Sequence, residues 1–291
     1  SAPDADGFLP QLRMEFSAMI ERAQVAEESG FDGLALMDHL APPMAEGHPM
    51  HDAMITAAWL GANTTTLTLS HLVLCDAFRN PAVLAKQAVG LDHATGGRFE
   101  LGLGWGSWAP EFESYGLPTQ PKERFDRLSE TVEVISALWT GEEVTYQGVH
   151  HQIAGAQQQP VPTGRLPLII GGAGPKILRL ASAHAAWWNC PGYAADRFAE
   201  LNAQTGNARG SLQQMVAFVP NEADRDAITD VTHRRFGVDR SDLLIGTGPE
   251  LVPALRTQAS VGVERFYIWM SDFASPETLR SFGAEVIDTF A

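Results

Sequence analysis

The sequence predicts an α/β protein, a (β/α)8 TIM barrel with insertions, on three observations. Leu67 to Gly106 reads as one complete strand, helix and strand. Further strand candidates recur along the chain with helical stripes between them. The 291 residues, 45% of them hydrophobic, suit an α/β barrel folded as one domain over 1–291.

Within the first unit, Leu67 to Leu74 alternates and then clusters apolar residues, as a buried strand does. Asn80-Pro81 offers a capping side chain and a proline fitted to a first helical turn. Leu84, Ala88 and Leu91 repeat at helical spacing, Gly96-Gly97 stops the helix, and Arg98 to Leu103 is apolar again, leading to Gly102, Gly104 and Gly106. Upstream, a helix over Met14 to Ser29 presents Phe16, Met19, Ile20 and Ala23 on one face, Gly30 ends it, and Phe31 to Met37 reads as a strand. Another helix begins near Asp52, and the stripe Phe125, Leu128, Val132, Ile135 and Trp139 marks a long one over Arg124 to Trp139.

An insertion at about 140–165 follows: a hairpin from Thr140 to Ile153 turning at Gly148, with His150-His151 on a strand, then a Gln/Pro-rich loop. Strands resume at Leu166 to Ile170, Ala185 to Asn189, Gln213 to Val219 and Glu264 to Met270, before a last helix from Pro276 to Phe290. That makes seven parallel strands where a closed barrel wants eight. With Ser1 to Leu12 read as a mouth loop, the first strand is expected upstream of Ser1.

Thirty-five acids against 20 bases give a formal charge of −15, which argues against nucleic-acid and anionic-membrane surfaces and for a small-molecule ligand. No apolar run approaches membrane length or follows a leader pattern, so the expected compartment is the cytoplasm. Cys75 and Cys190 read as buried small hydrophobes, a disulfide between them being the alternative.

In a parallel barrel the ligand site lies at the carboxyl ends of the strands, so Asp38-His39, Leu72 to Asp76, Gly104-Trp105 and Gly171 to Gly174 should converge on one mouth. Gly171, Gly172, Ala173 and Gly174 precede a helix opening with Pro175-Lys176, which brings backbone N–H groups, a helix N-terminus and a lysine to one point, an arrangement suited to phosphate. An imidazole such as His39 can give or take a proton near neutrality. His39, His48, His51 and Asp52 admit a metal reading, but their spacing fixes no third ligand and the nearby prolines and glycines suit a flexible lid, so no metal is assigned. Trp105, Trp108, Trp187, Trp188 and Trp269 near strand ends suggest an aromatic, apolar cavity, with core packing as the alternative.

At Arg79–Lys86 (R-N-P-A-V-L-A-K), Leu91–Arg98 (L-D-H-A-T-G-G-R) and Gly102–Trp105 (G-L-G-W) the sequence resembles the bacterial luciferase-like monooxygenase family, most of all its branch using the deazaflavin coenzyme F420. The resemblance continues through Glu111-Phe112-Glu113, Tyr115-Gly116, Glu123 to Arg127, Leu138 to Thr140 and Pro167 to Gly172, and fades after about Asn189. It implies an oxidoreductase that exchanges a hydride between bound F420 and a small organic, apolar or aromatic substrate. An FMN-dependent monooxygenase is the alternative; a phosphate-binding lyase or isomerase and a non-catalytic flavin-binding protein stand behind it.

By the same resemblance, the strand end at Leu72, Val73 and Cys75 forms a bulge against the central ring of the cofactor, with a non-proline cis peptide at Leu72-Val73. Gly104 and Trp105 form a second wall, Gly171 to Gly174 with Lys176 grip the phosphate, His39 handles the proton, and Asp38 holds His39 or the cofactor. Arg79 and Arg179 are further cations for an anionic tail. Alcohol and sugar-phosphate dehydrogenases of the family carry a glutamate after the G-x-G; here Trp105 follows Gly104, leaving that proton-handling pair incomplete. A homodimer is carried over by analogy.

Overall fold

A computed structural model describes residues 1–291 apart from Ser1, Leu12, Met44, Glu46, Asp239, Ser241, Ala291 and the side chain of Phe290. Its sheet is parallel throughout and curls into a barrel. The strands are β1 (Asp4–Leu9), β2 (Gly33–Leu36), β3 (Thr68–His71), β4 (Leu74–Cys75), β5 (Leu101–Gly104), β8 (Leu168–Gly171), β9 (Trp187–Cys190), β10 (Arg209–Phe218) and β12 (Arg265–Met270). They run side by side in the order β3, β2, β1, β12, β10, β9, β8, β5, β4. β3 and β4 are two halves of one broken strand, the first paired with β2 and the second with β5, and a bridge from Leu69 to Phe99 completes the circuit. β11 (Leu243–Gly246) pairs with the outer half of β10, beyond the point where β9 ends.

Most of the helices described next are those the caps and stripes predict. α2 (Ala53–Ala62) starts where the Asp52 carboxylate accepts from the Ile55 N–H. α3 (Pro81–Thr95) starts at Asn80, whose side chain accepts from the Ala82 and Val83 N–H groups, and ends at Gly96 in a left-handed conformation. α1 (Phe16–Glu28) and α5 (Pro121–Leu138) bury their predicted stripes against the outside of the barrel. A short α4 (Ala109–Ser114), which has no apolar period long enough to read, lies over the mouth after β5. α6 (Pro175–His184) follows β8.

Two expectations are overturned. The first barrel strand is β1, inside the segment read as a mouth loop and not upstream of Ser1; it pairs with β2 on one side and β12 on the other. Its sequence Asp-Ala-Asp-Gly looks like a turn because one carboxyl group, Asp6, is buried within the barrel 3.7 Å from the Arg265 guanidinium, 259 positions away by number. His150 and His151 are not on a strand: they sit in the turn between β6 (Glu143–Gln147) and β7 (Gln152–Gln157). Glu130 of α5 accepts from the backbone N–H groups of Val149, His150 and His151, and the buried His151 imidazole bonds to Thr131 at 2.9 Å, so the hairpin is latched to α5.

The main core fills the space between sheet and helices, with Leu34, Leu36, Leu69, Leu101, Leu103 and Ile170 pointing outward from the strands. A smaller cluster of Phe8, Ala35, Ile169, Trp187 and Tyr267 plugs the barrel interior. Below it Arg265 forms a two-pronged ion pair with Glu100, and Trp187 lies between the guanidiniums of Arg209 and Arg265, each 4.0 Å from its ring centre. A barrel plugged in this way leaves ligand space only at its carboxyl end.

Candidate active site

At that end a cavity of about 280 Å³ opens among Met37, Asp38, His39, Leu72, Val73, Cys75, Gly104 to Ser107, Glu111, Gly171, Gly172, Asn189, Pro191, Tyr193 and Gln213. A second, of about 410 Å³, runs over Phe125, Pro121, Lys122 and the stretch Gly172 to Ile177. Trp105, Gly172 and Tyr193 border both, so the two form one trough from the barrel centre to the start of α6.

The continuation of β2 is pinned from below. Gln11 donates its side-chain amide to the Met37 carbonyl at 2.8 Å and accepts the Met37 N–H at 3.0 Å. Asp38 then points across to the broken strand, where one carboxylate oxygen accepts the Cys75 N–H at 2.8 Å and both oxygens accept from the Arg79 guanidinium, at 2.5 and 3.0 Å. Arg79 also reaches Asp52, the cap of α2, at 3.1 Å. With both oxygens held by protein donors, Asp38 clamps β2 to β4.

The break in that strand is a cis peptide between Leu72 and Val73. Here the glycines of β5 and β8 find their reason. A Cβ at Gly102 would sit 1.8 Å from the His71 carbonyl oxygen, and one at Gly104 would sit 2.4 Å from Val73 Cγ2. Across the trough, Gly171 meets the other methyl of Val73, 3.2 Å from where its Cβ would be. Val73 is thus a wedge between Gly104 of β5 and Gly171 of β8.

His39 lines the cavity beside this wedge, and its Nδ1 lies 3.0 Å from Oε2 of Glu111. Oε1 of Glu111 accepts the Leu40 N–H at 2.5 Å and the Ala41 N–H at 3.3 Å. The carboxylate beside His39 therefore comes from α4 and not from the G-x-G turn. Glu111 stands in the glutamate-rich string that carries the resemblance, but its partner is 72 residues away, and only the fold brings them together.

Trp105 packs edge-on to Phe125 at 6.3 Å, and Arg124 lies over Phe112 at 4.5 Å and near Trp105 at 5.7 Å while donating to the Gly106 carbonyl. At the far end of the trough, α6 begins at Gly174 with no side chain capping it. The Gly172 N–H is used by the Asn189 carbonyl at 3.0 Å, so the donors turned to the trough begin after Gly172. Lys176 Nζ lies 5.0 Å over the Phe125 ring, and Arg179 is exposed one turn along α6.

Of the tryptophans expected around the cavity, Trp105 is the one that lines it. Trp187 is in the barrel plug, Trp188 faces outward against Phe198 and donates to the Gly172 carbonyl at 2.8 Å, and Trp269 packs on Phe8 and Phe236. The second aromatic wall is Tyr193, in a Pro-Gly-Tyr turn that carries no recognisable signal; Gln213 and Asn189, at the cavity too, lie within predicted strands and carry no site signal of their own. His51 stacks on Phe16 and Asp52 caps α2, so with His39 turned to Glu111 the histidine loop does not gather around one point. Among the described residues no group of three or more His, Cys, Asp and Glu could hold a metal ion. Cys75 and Cys190 are free and buried, and burial pushes both thiols up to about 12. No helix among the described residues is long and apolar enough to cross a membrane.

The protein is thus a plugged α/β barrel whose open trough, at the carboxyl mouth, runs from a wedge and an imidazole–carboxylate pair to an uncapped helix start. The sequence model of the luciferase-like monooxygenase family matches residues 2–253, and the chain belongs to that family. An F420-dependent glucose-6-phosphate dehydrogenase of Microbacterium testaceum is 37% identical over 166 residues, 56% of this chain and 49% of that protein. The chain thus matches about half the length of such curated relatives. An uncharacterized protein of Mycobacterium tuberculosis is 28% identical over 262 residues, 82% of this chain and 90% of its own. Among solved structures, an F420-dependent secondary alcohol dehydrogenase in complex with an F420-acetone adduct superposes with a TM-score of 0.85 at 18% identity, covering 99% of both chains. At that identity the likeness is one of fold.

Proposed function

We propose that this protein is an F420-linked oxidoreductase that exchanges a hydride between the deazaflavin and a small uncharged organic substrate. The observation that carries the reading is the continuous trough from the Val73 wedge, past His39, to the uncapped start of α6. The residues fit such a cofactor: Gly104 and Gly171 let Val73 stand forward as a wall of the trough, the space a Cβ would enter at Gly174 is open, and Ala173, Gly174 and Lys176 offer donors to an anionic group. When bound, F420 supplies the hydride acceptor or donor. Leu72, Val73 and Cys75 would support its ring system, Gly104 and Trp105 would flank it, and Gly171 to Gly174 with Lys176 would hold its phosphate.

The substrate class follows from where the cations are. The inner cavity is lined by no lysine or arginine, and none of the residues outside the described set is a cation. Arg79 is paired with Asp38 and Asp52, and Arg124 is turned to the Gly106 carbonyl and the aromatic rings. Lys122 and Lys176 belong to the outer cavity, on the cofactor's side. A substrate phosphate would find no partner beside His39, whereas Trp105, Tyr193 and Met37 offer apolar walls.

Titration of the purified protein with F420 and, separately, with FMN, followed by absorbance and fluorescence, tests the reading. Saturable F420 binding is the expected result. Binding of FMN alone transfers the chain to the monooxygenase reading, and binding of neither overturns both.

A further inference from the structure

We propose that Glu111 is a positioning residue that selects the tautomer of His39, making Nε2 the atom that exchanges the substrate proton. Glu111 is buried, and its Oε1 already accepts two backbone N–H groups, from Leu40 and Ala41. Those two donors hold the group as an acceptor, so the 3.0 Å contact from Oε2 to His39 Nδ1 is one in which Nδ1–H donates. A neutral imidazole has one N–H; with that hydrogen on Nδ1, Nε2 carries the lone pair. His39 lines the inner cavity with its side chain 18% exposed, beside the Val73 wedge.

The inference rests on the oxidoreductase reading above and adds its proton half. Bound F420 would supply the acceptor for the hydride that leaves the carbon of a substrate alcohol with its electron pair; as the O–H bond breaks, His39 Nε2 would take the proton, leaving the carbonyl product and an imidazolium. That imidazolium is stabilised by Glu111 through Nδ1–H. In the opposite direction Nε2–H returns the proton to the developing alkoxide, and the balance is the same.

Glu111→Gln separates this role from mere packing. The amide oxygen still accepts from Leu40 and Ala41, while the amide NH₂ now faces Nδ1 as a donor, so the ring must turn Nδ1 into the acceptor and move its hydrogen to Nε2. The first readout uses cofactor-free protein: ¹⁵N spectra of histidine-labelled samples, with His39 in its neutral form and assigned by loss of its signals in His39→Asn. The expected result is the Nδ1–H tautomer in the parent protein and the Nε2–H tautomer in Glu111→Gln. The same tautomer in both, or Nε2–H in the parent, overturns the proposal whether or not F420 binds.

The second readout is turnover with F420 and an alcohol. Glu111→Gln should lower kcat by about 100-fold or more with KM within a few-fold of the parent. A switched tautomer with unchanged kcat also overturns the proposal, since the proton would then be travelling elsewhere.

Discussion

Arg79 and Asp38 are joined by two hydrogen bonds at the carboxyl end of the barrel, and the same guanidinium extends to Asp52 at the start of α2. The pair is deep: the side chains are 11% and 4% exposed. Removing the cation leaves Asp38 charged and buried against the Cys75 N–H. Arg79→Met should therefore cost about 3–5 kcal/mol in urea unfolding, and Arg79→Lys, which keeps the charge but loses the fork, should fall between the two. A loss within experimental error of zero for Arg79→Met would show that the clamp contributes nothing.

Gly104 should tolerate alanine only if Val73 gives way. Its Cβ would stand 2.4 Å from Val73 Cγ2, so Gly104→Ala is expected to destabilise by about 1–3 kcal/mol. Pairing it with Val73→Ala should recover part of that loss, a coupling measured by a double-mutant cycle. At Gly102 the obstacle is the backbone oxygen of His71, and no side-chain truncation should rescue Gly102→Ala. Additive energies in the first cycle would contradict the wedge geometry.

Asp6 gives stability a slope in pH. Burial pushes its carboxyl up to about 8, against the pull of Arg265, so the folded protein keeps a proton that the unfolded chain has lost above about pH 4. Because the folded state binds more protons in that window, the contribution of Asp6 to stability declines as pH rises from about 4 to about 8 and is level beyond. Asp6→Asn should flatten this decline, seen as a smaller difference between urea midpoints at the two ends of the window. An identical pH dependence in the variant would refute the assignment.

Turnover should discriminate by substrate charge. Neutral secondary or aromatic alcohols are expected to be oxidised with F420, and their phosphate esters should give kcat/KM lower by about 100-fold or more, since a buried anion without a partner is costly. Inorganic phosphate should compete with F420 and leave the KM of the alcohol unchanged. Efficient turnover of a sugar phosphate would place a cation where the inner cavity has none.

The parts of the fold that were legible in the sequence are those whose signals are local. Asn80, Pro81 and Gly96 mark α3 because each acts on its own turn of backbone, and Leu67 to Leu74 reads as a strand because its neighbours bury it on both faces. β1 was hidden for the opposite reason: Asp6 is tolerable inside a barrel only through Arg265 and a retained proton, neither visible in its own stretch. At the site, His39 and Trp105 stand at strand ends, where position places them at the mouth, whereas the Leu72-Val73 cis bond is expected from the family resemblance and not from the residues themselves. Glu111 and Tyr193 enter from loop elements whose placement depends on the assembled mouth. The histidine pair at 150–151 misled because strand alternation and a hairpin turn look alike over so few residues.

The pairing of β1 with β12 has a consequence for how this chain comes into being. Register between Asp4 and Arg265 and on to Gly7 and Ile268 sets β1 against a strand 261 positions later in the chain. On the ribosome β1 can therefore lie beside β2 while its other edge waits until β12 has been synthesised. The buried ring of Asp6, Glu100 and Arg265 is assembled only at that moment, so the charges of the nascent barrel stay in water until the circle closes. Closure and neutralisation are one late event, and a long-range one, of the kind that slows folding most.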